Sequence, residues 1–233
     1  YRKEAEKVID LSEDPDTPEP PHDRIRRIND ASRDLNTYVY HATKTLLDKN
    51  KKILLLGGDH STPFGYIKAL AEKHGDFGIL QIDAHCDFRR AYQGFEFSHA
   101  SIMHQVITKI PEVKKLIQAG IRDLCPEENE FLRLHPGRIH THMMHDLRHQ
   151  LFKGESWSEQ TRKIIGDLPE KVYLSFDIDG LDPSLCPHTG TPVPGGLGYH
   201  EAIYLIEEIL RSGRVLIGAD LCEVAGNPHE WDG

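Results

Sequence analysis

The 233-residue sequence has no apolar run near the ~20 residues a membrane-crossing helix needs, so a membrane is not expected as a partner. It is also short of basic residues. Lys and Arg number 28 against 37 Asp and Glu, and the formal charge of −9 argues against nucleic acid and anionic membrane surfaces. Cysteine is scarce: Cys86, Cys125, Cys186 and Cys222 show neither C-x-x-C spacing nor the density of a small secreted domain, and are expected to be reduced thiols in a cytoplasmic protein. There is no repeat period and no low-complexity tract. No signal peptide is visible, although the chain opens at Tyr1 without Met and closes on a turn-like run, Asn227–Gly233, so segments are expected beyond both ends. What remains is an apolar content of 38%, ordinary for a packed domain, on a chain long enough for one domain over residues 1–233.

Residues 10–23 are rich in Pro and acid and read as an irregular surface loop. From Arg24 to Asn50 the apolar residues Ile25, Ile28, Leu35, Val39, Leu46 and Leu47 recur at helical spacing and predict one long amphipathic helix. Beyond it, short apolar runs alternate with helical stretches. The runs are Ile53–Leu56, Phe77–Ile82, Lys115–Ala119, Val172–Phe176 and Val215–Ala219, with a weaker one at Arg138–Ile139; the helical stretches are 63–74, 99–109, 127–134, 159–167 and 199–212. Apolar residues at successive positions suit strands buried on both faces, so the expected fold is a three-layer α/β/α domain with a mainly parallel central sheet.

Ligands of such sheets sit beyond the carboxyl ends of the strands, and that is where the polar side chains fall. The first run leads into Gly57-Gly58-Asp59-His60-Ser61, the second into Asp83-Ala84-His85-Cys86-Asp87, the fourth into Asp177-Ile178-Asp179, and the fifth into Asp220-Leu221-Cys222-Glu223. On an extended backbone alternate side chains share a face, so Asp83, His85 and Asp87 are expected to converge, and Asp177 with Asp179 likewise. Carboxylates this close repel unless a cation or a proton intervenes. A set of carboxylates with one or two imidazoles and no thiolate suits a hard divalent ion such as Mn²⁺. D-x-H-x-D alone could equally be a polar strand terminus; a second Asp-x-Asp and His60 at other strand ends favour the metal reading.

The segments GGDHS (57–61), DAHCD (83–87) and SFDIDGLDPSLCPHTGTPVPGG (175–196) resemble, in the same order, the three signature segments of the ureohydrolase family of arginases, agmatinases and formiminoglutamases. The resemblance runs from about Lys51 to Glu223. It implies an eight-stranded parallel sheet, of which about six strands can be counted in the sequence. It also implies two Mn²⁺ per chain: one on His60, Asp83, Asp87 and Asp177, the other on Asp83, His85, Asp177 and Asp179, with Asp83 and Asp177 bridging. The implied reaction is hydrolysis of a guanidine or amidine by hydroxide held between the ions. Asp87 would relay a proton to the leaving amine, Glu223 would hold the guanidinium, and His99 would shuttle protons or touch substrate. Homo-oligomers are common in the family, and one is expected here.

Arginases carry an Asn and an Asp at the positions of Arg89 and Cys125, where both help read the α-amino-acid end of arginine. An Arg repels an ammonium group and a neutral thiol cannot hold one, so arginine is not the expected substrate. His99 in its Ser-His context is agmatinase-like, which points to agmatine, cleaved to putrescine and urea. Arg89 as a carboxylate grip is formiminoglutamase-like; it could also simply pair with a nearby acid such as Glu96. Rival readings are a single-Zn²⁺ deacetylase-type relative and a non-catalytic binding module. His145 and His149, in the run His140–His149, lack the H-E-x-x-H pattern and a feeding strand, and read as a solvated helix face. His188 reads as a loop residue, and Cys86 as a buried, inert thiol pointing away from the ligands.

Overall fold

The computed structural model describes residues 22–225, with Glu6 and Ile9 besides. The expected loop 10–23 lies outside the described residues except for His22 and Asp23, which already belong to a helix; the run 227–233 also lies outside them. Helix α1 (His22–Asp48) ends where Asn50 takes a left-handed φ of 54°. There Lys51 N donates to Leu46 O (3.1 Å) and Asn50 N to Leu47 O (2.9 Å), the paired bonds of a Schellman C-cap. The helix departs from the expected stripe in one respect. Leu35 and Leu46 are exposed, and Asn36 and Thr43 are buried with Ile28, Val39 and Leu47. The reason is close packing on α2 (Phe64–His74): a Cβ on Gly65 would lie 2.1 Å from Asn36 O, so the contact admits only small or self-bonded groups. Thr43 Oγ1 meets that condition by donating to Val39 O at 2.7 Å.

Six strands follow: β1 (Leu54–Leu56), β2 (Phe77–Ile82), β3 (Val113–Ile121), β4 (Ile139–Met143), β5 (Lys171–Asp177) and β6 (Val215–Cys222). All pair parallel, in the order β1-β6-β5-β2-β3-β4. Between them run α3 (Ile102–Lys109), α4 (Pro126–Leu134), α5 (Met144–Phe152), α6 (Trp157–Gly166) and α7 (Tyr199–Arg211). Alternate strand residues face opposite layers. Phe77, Ile79 and Leu116 join the core under α1 to α4, whereas Leu80, Ile82 and Ile117 join the one under α5 to α7. All six residues of β2 are buried, which is why its run is apolar on both faces with Gln81 as the polar exception. Truncating one such side chain, Leu80→Ala for instance, is expected to cost about 2–5 kcal/mol.

The strand order creates the place where the polar ends meet. β2 and β5 are neighbours, but β2 leads to β3 on one side and β5 to β6 on the other. Divergent connections leave a crevice beyond the carboxyl ends of the two strands.

Candidate metal centre

Four chain segments enter the crevice. After β1 the chain passes Gly57 and Gly58 and turns, with Asp59 Oδ1 accepting from Ser61 N at 3.0 Å, and presents His60 just before α2. After β2, Asp83, His85 and Asp87 follow; after β5 come Asp177 and Asp179; after β6 comes Glu223. Convergence is not achieved by strand alternation, as the sequence predicted. β2 ends at Ile82, and Asp87 has a φ of 58°, which turns its carboxylate toward His60. β5 ends at Asp177, and Ile178–Gly180 is a 3₁₀ turn whose Asp179 N is held by Asp177 Oδ1 at 2.9 Å. A Cβ on Gly180 would come within 2.7 Å of Asp83 N, so glycine there lets the two loops touch. Glu223, with a φ of 60°, is the second site residue in the left-handed region, and such strain persists where surrounding structure holds it.

The donor atoms form two groups that share one residue: His60, Asp83 and Asp177, and Asp83, His85 and Asp179. His60 Nδ1 lies 3.0, 2.9 and 3.4 Å from oxygens of Asp83, Asp87 and Asp177. His85 Nδ1 lies 3.1 Å from Asp179 Oδ2 and 3.6 Å from Asp83 Oδ1. Asp83 thus belongs to both groups, whereas Asp177 groups with His60 while its Oδ1 is occupied by Asp179 N.

The electrostatics fit a cation. Burial and the Asp83 charge push Asp87 and Asp177 well above the usual carboxylate range. Burial acts on Asp83 too, but hydrogen bonds and charge from His60 and His85 outweigh it and hold Asp83 low. Burial would lower both imidazoles, yet the carboxylates raise His60 well above its ordinary value and His85 to about 11. Protons therefore supply the positive charge that this cluster requires. His60 Nδ1 and Asp87 Oδ2 are buried without a partner in hydrogen-bonding geometry, though they face each other. Carboxylates and imidazoles without thiolate are the donors of a hard divalent ion, and the residues present fit one. Behind His60, Nε2 lies 2.8 Å from Ser175 Oγ, and Ser175 donates to Asp220 Oδ1 at 3.3 Å. Such an outer partner leaves Nδ1 as the ligand atom.

A cleft of about 230 Å³ opens beside the second group, lined by His85, Asp87, Arg89, His99, Cys125 and Thr191 among others. His99 begins a 3₁₀ turn, stands edge-on to Tyr92, and is kept below the ordinary imidazole range by burial. Arg89 does not pair with Glu96, which is taken by Lys109 and Arg33. Its partner is Glu128, 3.7 Å away, whose carboxylate also accepts from Phe88 N and Cys125 N at 3.0 Å each. Glu223 Oε1 accepts from His60 N at 2.9 Å, and burial raises its carboxyl. Cys86 is buried in the apolar core. His188 lies in a turn. The histidine run was misread in part: His140 and His142 lie on β4, so a strand does feed it, and α5 begins only at Met144. His145 and His149 are exposed and stack on each other, and neither joins a ligand group among the described residues. Sequence reasoning passed over Ser175, Asp220, Glu128 and Asp123, the last 3.9 Å from His85 Nε2. Two of them carried a signal: Ser175 shares alternation on β5 with Asp177, and Asp220 stands at the polar end of the fifth apolar run.

The sequence profile of the arginase family matches residues 9–230. The chain is 37% identical over 185 residues to N(1)-aminopropylagmatine ureohydrolase of Thermus thermophilus, covering 78% of this chain and 57% of that protein. It is 35% identical over 194 residues to human arginase-1, covering 76% of this chain and 59% of that protein. It thus spans under two thirds of the length of these relatives. Among solved structures, proclavaminate amidino hydrolase of Streptomyces clavuligerus superposes with a TM-score of 0.71 at 28% identity, covering 84% of this chain and 63% of that one. Fold, strand-end donor groups and profile agree, and the chain belongs to the arginase family.

Proposed function

We propose that this chain carries the active site of a manganese-dependent ureohydrolase that cleaves a C–N bond of a linear guanidine, agmatine first among them, giving putrescine and urea. The observation that supports this most is the meeting of two donor groups at Asp83, in a crevice that opens on a small-molecule cleft. In this reading His60, Asp83, Asp87 and Asp177 would hold one ion, and Asp83, His85, Asp177 and Asp179 the other. When bound, the pair supplies the positive charge that makes water a nucleophile near neutral pH. Asp87, whose carboxylate burial and the Asp83 charge make more basic, would take the proton of the attacking water and pass it to the leaving amine. Glu223 has one oxygen committed to His60 N, which leaves the other for the substrate's guanidinium. His99, neutral near pH 7 because burial lowers it, can accept and return a proton at the cleft wall.

Agmatine is favoured over arginine because burial keeps the Cys125 thiol neutral and Arg89 carries the wrong sign to hold an α-ammonium group. The agmatine-type name of the Thermus relative points the same way. One observation favours a second reading. Arg89 lines the cleft with its side chain 38% exposed, as a grip on a distal carboxylate of a formiminoglutamate-like substrate requires. The reading carries with it a cytoplasmic homo-oligomer acting on small molecules, without nucleic acid or membrane; the absence of a disulfide among the described residues and the acidic composition support it.

The test is urea and ammonia release by Mn²⁺-reconstituted protein from agmatine, arginine, guanidinobutyrate, guanidine and formiminoglutamate. Urea from agmatine in preference to arginine is expected. Formamide or ammonia without urea would replace it with the second reading. A single tightly held Zn²⁺ would sink both in favour of a deacetylase-type relative, and two bound ions with no turnover would leave a binding module.

A further inference from the structure

A row of polar side chains crosses the buried sheet toward the candidate centre. Gln81 on β2 stands opposite Gln118 on β3, which stands opposite Thr141 on β4. Both glutamines are fully buried on the face that packs under α1 to α4, and Ser175 and Asp220 continue the same buried polar row on β5 and β6. Buried amides without partners are costly, so the bonds that satisfy them deserve a full accounting. Thr141 Oγ1 donates to Gln118 Oε1 at 2.6 Å, and Gln118 Nε2 donates to Gln81 Oε1 at 2.7 Å and Cys86 O at 3.0 Å. Gln81 Nε2 donates to Asp83 Oδ2 at 2.8 Å and to His85 O at 3.3 Å.

Carbonyls and ionised carboxylates only accept, so neither amide can flip without setting oxygen against oxygen. The side-chain bonds of the row therefore run one way, from Thr141 through Gln118 and Gln81 to Asp83. The two oxygens of that carboxylate are held differently. Oδ2 takes the Gln81 amide and faces His60 Nδ1 at 3.0 Å; Oδ1 takes His85 N at 2.6 Å and faces His85 Nδ1. A side-chain amide orients one oxygen without adding a cation that would compete with the ion.

We infer that Gln81, locked by Gln118 and Thr141, is a positioning residue that sets the affinity of the His60-side ion in preference to the His85-side ion. This rests on the two-ion reading above. Gln81→Met keeps length and removes the donor, while Gln118 stays bonded to Cys86 O. Mn²⁺ titration followed by bound-ion stoichiometry and electron paramagnetic resonance should show two ions in the parent protein. In Gln81→Met the His60-side ion should bind about 10–100-fold more weakly, so an isolated-ion signal persists at Mn²⁺ levels that give the parent a coupled pair. Gln118→Met should act in the same direction but less. The side is assigned by backgrounds: Gln81→Met should weaken the ion left in His85→Asn and not the one left in His60→Asn. Unchanged affinities, or equal weakening on both sides, would overturn the inference. Should thermal melts show Gln81→Met unfolded, unchanged affinities in Gln118→Met would overturn it alone. Fewer than two ions in the parent protein would instead sink the two-ion reading itself.

Discussion

The two halves of the donor cluster share Asp83 yet meet solvent differently. On one side His60, Asp83 and Asp177 are all buried, and Ser175 and Asp220 back the imidazole. On the other, His85 is 24% exposed and lines the cleft beside Arg89 and His99. Charge interactions strengthen where water is excluded, so under the proposed function the closed half would retain an ion and the open half would let substrate reach one. Residue type does not make this difference, since each half has one imidazole and carboxylates.

Asp83→Ala should erase the comparison altogether. With the shared ligand gone, bound Mn²⁺ should fall below one per chain and turnover to background; retained stoichiometry by elemental analysis would show that Asp83 is not shared. His60→Asn and His85→Asn separate the halves. The first should cost the tightly held ion, while the second should keep one ion bound and still lose most activity. Equal ion loss in both would remove the closed-versus-open distinction. Glu223→Gln keeps an acceptor for His60 N but drops the charge, so KM for a guanidine should rise about 10–100-fold with ion content unchanged.

Proton balance sharpens the same point. His85 titrates at about 11 in the metal-free fold against 6.5 when unperturbed, and His60 is raised too. Groups with raised folded values stabilise fully below their unfolded pKa and lose that contribution as pH rises through the folded value. Thermal melts of metal-free protein should therefore fall between about pH 6.5 and about pH 11, while Mn²⁺-loaded protein, whose imidazoles have already given up those protons, stays flatter. A flat metal-free profile would contradict the charge assignment. The smallest effect is expected from His145→Ala with His149→Ala. Both are exposed, so stability should stay within about 0.5 kcal/mol and ion binding should not change.

Much of the fold could be read before any coordinates. Every described strand lies on or beside an expected apolar run; β2 and β5, buried on both faces, show why, whereas β1 has exposed Leu54 and Leu56. The weak run at Arg138–Ile139 understated β4, whose residues 140–142 are polar: among the described residues the strand forms a sheet edge, with β3 as its partner on one side. Leu35 and Leu46 looked like core by helical period and are exposed, because the neighbouring helix approaches too closely at Gly65 for a full apolar stripe.

The sequence by itself determined that carboxylates and imidazoles would stand at strand ends, because apolar run and polar terminus are local properties of the chain. Tertiary structure decided which ends meet. The order β1-β6-β5-β2-β3-β4 brings His60, Asp83, Asp177 and Glu223 to one crevice, and left-handed backbone at Asp87 and Glu223 completes the approach. It also decided that Arg89 would face Glu128 and not Glu96, and that Gln81 would hold Asp83. Alternation records which face a residue takes but not its neighbour on the next strand, and that neighbour is set by strand order and register.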